Sequence, residues 1–139
     1  MKKLSCGTIL TDGKNILLGH VTGKDKYDLP KGGHEEGETY LQTAQRELLE
    51  EFGIHEPGFR FQVLGLYEYT ASKDLYLYLI EYPDLKQNIP LSTLFCTSYF
   101  DRSGEQILEM DRYKIISMKE IPSFCYPNMV KVLKKVLQF

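Results

Sequence analysis

Three carboxylates crowd the stretch RELLEEFG, residues 46–53: Glu47, Glu50 and Glu51, with Arg46 as the lone cation beside them. On a helix, side chains three and four residues apart are neighbours, and each like-charged pair costs roughly 0.2–0.5 kcal/mol. Such a face gains nothing from its own crowding; it needs something positive above it. Oxygen ligands gathered in this way suit a hard divalent cation such as magnesium, which completes its shell with waters and phosphate oxygens. Taken alone, three glutamates fit a solvated acidic face better than a metal site. The residues upstream reverse that reading.

The elements that must position these acids follow from periodicity and turn chemistry. A strand is predicted over Ser5–Leu10, a turn at Asp12-Gly13 and a second strand over Asn15–Val21, since an Asp-Gly pair between apolar runs is a hairpin signal. The glycine- and lysine-rich segment TGKDKYDLPKGGHEEGE lacks periodicity and reads as a loop. A helix from Thr39 to Phe52 follows, with Thr39 and Gln42 as a capping box and Gly53 as the stop. Its core arc is Leu41, Ala44, Leu48 and Phe52, and the acids occupy the adjoining arc, where the Gly32-Gly33 segment can fold over them. Strands are expected over Phe61–Thr70, Asp74–Tyr82, Thr93–Phe100 and Arg112–Met118. An amphipathic helix over Asn128–Phe139 turns Met129, Val132 and Val136 inward and Lys131, Lys134 and Lys135 to water. The sum is an α/β sandwich, a mixed sheet with a helix on each side.

Bulk properties narrow the class. A chain of 139 residues suits one domain over residues 1–139. A formal net charge of −2 gives no global pull toward nucleic acid or a membrane, so charge must act locally. No apolar run reaches the length of a membrane span. The opening MKKLSCGTIL has too short an apolar stretch for an export signal and reads as a first strand. Cys6, Cys96 and Cys125 are too dispersed for a disulfide framework or a zinc site, which points to buried thiols and the cytoplasm.

Read from Gly32, the chain gives a spaced pattern: five residues to Glu38, seven more to Arg46-Glu47-Leu48, then Glu50-Glu51 and Gly53-Ile54. At every defined position this resembles the signature box of the Nudix hydrolases, GX5EX7REUXEEXGU, where U is a bulky aliphatic residue. The resemblance covers residues 32–54 and implies a Nudix-type α/β/α sandwich. It also implies Mg²⁺-dependent hydrolysis of a phosphoric anhydride, with Mn²⁺ as a possible substitute. By analogy, Glu47 and Glu51 are metal ligands, Glu50 is a ligand or the base, and the Lys31 carbonyl is a further ligand. A fourth carboxylate from a distant loop is expected at Glu109, with Asp111 and Glu105 as competitors.

Each position also has a physical reason. Gly32 permits close backbone approach, Glu38 can bridge loop and helix, and Arg46 can hold a glutamate by a two-pronged contact. A bound ion would neutralise the diphosphate and acidify the attacking water, while a carboxylate takes the proton. Lys24, Lys26 and Lys31 are candidates to offset phosphate charge; His34 could touch phosphate or be incidental.

The box does not name the substrate. The proline of the ADP-ribose group is replaced by Thr70, and the arrays of NADH and coenzyme A pyrophosphatases are missing. The LPKGG opening resembles dinucleoside polyphosphate hydrolases and the enzymes that trim RNA 5′ ends. Lys31, Gly32 and Gly33 would then bind substrate, with Tyr67 or Tyr69 stacking on a base, although both lie early for the family's tyrosine. Diadenosine tetraphosphate is the first expectation. A nucleoside triphosphate pyrophosphatase follows, then an RNA 5′ pyrophosphohydrolase. A catalytically silent nucleotide sensor and a purely structural module are the non-enzyme readings.

Overall fold

The Asp12-Gly13 turn does what the sequence predicts. In the computed structural model, which describes residues 2–139, β1 (Lys3–Thr11) and β2 (Asn15–Val21) pair antiparallel around it, with Thr11 opposite Ile16. Asp12 sits at the turn as an acceptor, taking N–H bonds from Lys14 at 2.9 Å, Asn15 at 2.7 Å and, from further along the chain, Leu85 at 3.2 Å.

The chain continues through β3 (Tyr27–Asp28), β4 (Lys31–Gly33), α1 (Tyr40–Phe52), β5 (Gln62–Thr70) and β6 (Lys73–Glu81). After these come α2 (Leu85–Asn88), β7 (Tyr99–Arg102), β8 (Glu105–Leu108), β9 (Met110–Ser117), α3 (Ile121–Phe124) and α4 (Pro127–Leu137). The main sheet runs β3-β2-β1-β6-β5, with β4 added to β1 and β9 to β2. β1 is parallel to β6 and antiparallel to its other partners, so the sheet is mixed. Ser5 through Thr11 of β1 are all buried, as expected of a central strand covered on both faces.

The two faces carry separate cores. Ile9, Leu75 and Leu77 pack with Met129, Val132 and Leu133 of α4. Leu10 and Ile80 point the other way, toward Leu48 and Phe52 of α1. This alternation, one residue per face along each strand, makes the α/β/α layering. Leu41, at the outer margin of the predicted core arc, is only partly buried.

Two expectations need correction. The segment read as a loop contains β3 and β4, strands too short to show periodicity; β4 pairs Lys31 with Gly7 and Gly32 with Cys6. The strand expected over Thr93–Phe100 is largely absent. Leu91–Thr93 form a 3₁₀ turn, and the strand starts only at Tyr99, pairing with β8 in a separate hairpin. The reason lies in the N–H groups of Thr97 and Ser98, which bond to the Glu50 carbonyl of α1 instead of a strand.

Burial alone would raise the Asp12 pKa, but the N–H groups of Asn15 and Lys14 outweigh it and hold the carboxyl at about 2. A depressed carboxyl adds stability above its unfolded pKa of about 3.9, and that stability fades as pH falls toward 2. Asp12→Ala should therefore lose roughly 1–3 kcal/mol near neutrality. In denaturant melts over a pH series, the gap from the parent should close between about pH 4 and pH 2.

Candidate active site

α1 begins on the predicted capping box: the Thr39 hydroxyl accepts from the Gln42 N–H at 3.1 Å, and the Gln42 side chain accepts from the Thr39 N–H at 2.8 Å. It ends at Gly53, whose φ of 70° is the left-handed stop. Burying Leu48 and Phe52 carries the neighbouring acids partly inward. Glu47 is only 7% exposed and Glu51 5%, while Glu50 is half-buried. Gly32 of β4 lies directly over Glu47, and a Cβ there would run into the carboxyl group. The lack of a side chain lets the strand close on the acid.

Arg46 holds this arrangement together. Its guanidinium grips Glu38 with two prongs, Nε to Oε2 at 2.7 Å and Nη2 to Oε1 at 3.0 Å. Nη1 reaches Glu47 at 2.7 Å and, less closely, Glu50 at 3.3 Å, and Nη2 also donates to the Gly33 carbonyl at 3.0 Å. Glu38 is fixed from its other side by the Thr43 hydroxyl at 2.8 Å. That bond commits the Thr43 proton, so the His34 Nδ1, 2.8 Å from the same hydroxyl, is the donor there. His34 thus serves the Thr43 network and stays out of the cleft. Arg46 and Thr43 hold the Glu38 carboxyl down at about 2.

Glu47 and Glu51 behave oppositely. Burial raises the Glu47 pKa, with Glu50 adding to it, and Arg46 offsets only part. Glu51 is pushed up to about 10, first by burial and then by a hydrogen bond to Glu109. Its Oε1 accepts the Lys31 N–H at 2.8 Å. Glu109 in turn accepts the Ser98 hydroxyl at 3.0 Å, and its N–H donates to the Ser98 carbonyl at 3.0 Å.

The last carbonyls of α1 are satisfied by this neighbouring chain. Glu50 O accepts the N–H groups of Thr97 and Ser98 at 2.6 and 3.3 Å, and Phe52 O accepts that of Phe95 at 3.2 Å. Glu51 O accepts the Tyr113 hydroxyl. The end of the acidic helix is thereby strapped to the segment that carries Glu109.

These groups face one cleft of about 580 Å³. Of the residues expected from the sequence, Lys31, Gly32, Gly33, Arg46, Glu47, Glu50, Glu51 and Glu109 line it. Tyr67 and Tyr69 do not. They pack into the layer on the α4 side, where the Tyr67 hydroxyl donates to the Leu64 carbonyl at 3.1 Å. Asp111 pairs with His20 at 2.6 Å, Glu105 lies exposed on β8, and Lys24 and Lys26 stand outside the cleft walls. The Lys31 ammonium is tied to Asp28 at 3.0 Å; burial lowers its pKa, but Asp28 more than reverses this, so it stays charged. Sequence reasoning missed Lys73, Ser98, Tyr99 and Phe100, all in the cleft wall. None belongs to the box, and no spacing rule connects them to it.

Six acidic and three basic side chains line the cleft, so an anionic substrate needs added positive charge to enter. The donor set is all oxygen and fits a hard divalent cation. The acids are not gathered into a ready-made cage: among the described residues, no group of three or more His, Cys, Asp or Glu side chains is placed to share an ion. Arg46 draws Glu47 and Glu50 to itself, while Glu51 accepts the Lys31 N–H and Glu109 the Ser98 hydroxyl, so the side chains would have to turn to chelate an ion.

The NUDIX domain profile matches residues 1–121. The chain belongs to the Nudix family. It is therefore a hydrolase acting on phosphoric anhydrides, in a family that acts on nucleotides and generally uses a divalent metal. Nearly its whole length is similar to a 17.7 kDa phage T4 protein of the e-segB intergenic region, itself uncharacterised, with 31% identity over 98% of this chain and 96% of that one. An RNA pyrophosphohydrolase of Helicobacter pylori is 27% identical over 81% of this chain and 72% of its own. The Nudix fold is also shared with an Ap4A hydrolase of C. elegans, at a TM-score of 0.62 and 20% identity, covering 96% of this chain and 93% of that one. Among the described residues no helix is long and apolar enough to cross a membrane.

Gly32→Ala tests the close approach over Glu47. The new Cβ meets the end of a flexible side chain, so the fold should survive with a melting temperature close to the parent's. The displaced carboxylate should cut kcat/KM for anhydride hydrolysis, by roughly a hundredfold if it moves by an ångström. Parent-like kinetics in a folded variant would exclude this role.

Proposed function

We propose that this Nudix domain hydrolyses a diphosphate linkage in a nucleoside polyphosphate, with Mg²⁺ as its working ion and diadenosine tetraphosphate as the first substrate to try. The observation that carries this reading is the convergence of Glu47, Glu50 and Glu51 from α1 with Glu109 from a distant loop on one cleft. Glu47, Glu51 and Glu109 are the proposed ligands. The Lys31 carbonyl joins them because the N–H and C=O of one strand residue share an edge, and the Lys31 N–H already points at Glu51. A bound ion would supply charge neutralisation and an acidified water. Glu50, half-buried and held only by the longer Arg46 contacts, is the acid freest to turn and accept the water's proton. Arg46 positions Glu47 and Glu38, and Lys73, in the cleft wall, would meet an outer phosphate.

A second reading, hydrolysis at a triphosphorylated RNA 5′ end, is favoured by the similarity to the H. pylori RNA pyrophosphohydrolase. Products separate the candidates. AMP plus ATP marks diadenosine tetraphosphate hydrolysis; pyrophosphate released from an RNA end marks the second reading. Nucleoside monophosphate plus pyrophosphate from free triphosphates marks a nucleotide-cleaning enzyme, and binding without any product marks a silent sensor.

Glu51→Gln should abolish turnover while the protein remains folded. Mg²⁺ should raise the melting temperature of the parent but not of the variant, since an ion at a hundred times its Kd adds about 2.7 kcal/mol. Turnover by Glu51→Gln at the parent's rate would end the mechanism. Lys73→Ala should raise KM roughly ten- to a hundredfold with kcat little changed, because a hydrogen bond to a charged group is worth about 1.5–3 kcal/mol.

A further inference from the structure

The rings that line the cleft come from one place. Tyr99 and Phe100, the first residues of β7, are the aromatic side chains in its wall among the described residues. Tyr99 leaves 51% of its surface open. Other tyrosines are committed to packing: Tyr40 lies against Tyr76 with ring centres 4.7 Å apart, and Tyr113 against Phe52 at 5.0 Å. Tyr67 and Tyr69 belong to the opposite layer.

The β7–β8 hairpin does not join the main sheet, so its position is set at its two ends. Ser98 precedes β7 and Glu109 follows β8, and these two residues are joined by a main-chain bond of 3.0 Å and a side-chain bond of 3.0 Å. Ser98 is also strapped to the Glu50 carbonyl of α1. Consecutive Cα atoms lie about 3.8 Å apart, so the Tyr99 backbone starts one residue from the carboxylate anchor. Tyr99 pairs with Leu108 and Phe100 with Ile107 across a tight turn at Ser103-Gly104. Arg102 lies over the Phe100 ring at 5.5 Å and steadies it.

A flat, half-exposed ring in the wall of an acidic cleft suits a ligand with a planar base at one end and a polyphosphate at the other. We propose that Tyr99, backed by Phe100, is the nucleobase platform of this cleft, on which a base stacks while its phosphates extend toward the cation that Glu47, Glu51 and Glu109 are proposed to hold. The assignment rests on the proposed nucleotide substrate and places base recognition on the hairpin, away from Tyr67 and Tyr69. Stacking of this kind tolerates any base, because each offers a π face.

The test uses the full chain with Tyr99→Ala, Tyr99→Phe and Tyr99→Trp. Affinity for a non-hydrolysable diadenosine tetraphosphate analogue is measured calorimetrically in Ca²⁺, alongside KM and kcat in Mg²⁺ and the affinity for inorganic tripolyphosphate, which has no base. Tyr99→Ala should weaken the nucleotide analogue and raise KM by about tenfold or more. kcat, tripolyphosphate affinity and Mn²⁺ affinity by electron paramagnetic resonance should stay within about twofold, and Phe or Trp should restore binding. Unchanged nucleotide affinity in Tyr99→Ala overturns the platform. Equal weakening of tripolyphosphate does so too, by placing the effect at the phosphate end. A change confined to oligomeric state in sedimentation would assign the ring to a contact between two copies of the chain. The binding arm reads the platform even if the parent turns nothing over, so its failure is distinct from failure of the hydrolytic reading.

Discussion

Placing acids beside a hydrophobic core sets the terms for everything else in this protein. Glu47 and Glu51 are nearly as buried as their neighbours Leu48 and Phe52, and an unpaired buried charge costs far more than any surface pair returns. The chain meets that cost unevenly. Arg46 is shared among Glu38, Glu47 and Glu50, holding the Glu38 carboxyl down and offsetting part of the burial that raises Glu47. Among the described residues Glu51 has no ion-pair partner and only the neutral Lys31 N–H as a donor; burial and Glu109 push its pKa up to about 10, which favours its protonated form at neutrality. In the proposed metal site, an incoming divalent ion would have to displace that proton and draw Glu47 from Arg46. Affinity for the ion would then be linked both to pH and to the rotamer of Arg46.

The fold's less regular parts make sense in these terms. Residues 95–98 do not extend the sheet because their N–H groups complete the C-terminal turn of α1. Phe95 lies over Gly53, where a Cβ would come within 2.6 Å of its ring, so the helix stop and the strap fit only with glycine there. Tyr113 of β9 adds a bond to the Glu51 carbonyl. Fixing a helix end at three successive carbonyls restrains the rotation of α1 about its axis. A small rotation would exchange the acidic arc for the core arc and bury the wrong side chains.

What the sequence reveals follows how local the determining interaction is. The capping box, the Gly53 stop and the core arc of α1 depend on contacts within four residues, and all are legible. The box glutamates and Arg46 are legible for the same reason, as is the hairpin at Asp12-Gly13. Glu109 stands out as an acid at the entrance to a predicted strand, although its distance from α1 in the chain is large. Lys73, Ser98 and Tyr99 reach the cleft only through tertiary pairing, by β6 alongside β1 and by the strap on Glu50. Nothing local marks them. Tyr67 and Tyr69 show the reverse failure: strand parity fixes which face they take, and parity relative to α1 is set by the parallel β1–β6 pairing, which residue types do not encode.

The charge inventory of the cleft then constrains how it can work. Two of its three cations are spent, Arg46 on the box glutamates and Lys31 on Asp28, which leaves Lys73 as the cation without a carboxylate partner among the described residues. One lysine cannot offset both a polyphosphate and the acids facing it. In the proposed reading, binding would therefore be cooperative: an ion held by the carboxylates would make the cleft tolerable for phosphate, and phosphate oxygens would complete its shell. A cleft with more resident cations would bind the anion without the ion and lose that coupling. On that reading the net negative charge would act as a filter, admitting phosphate chains only in company with a metal ion.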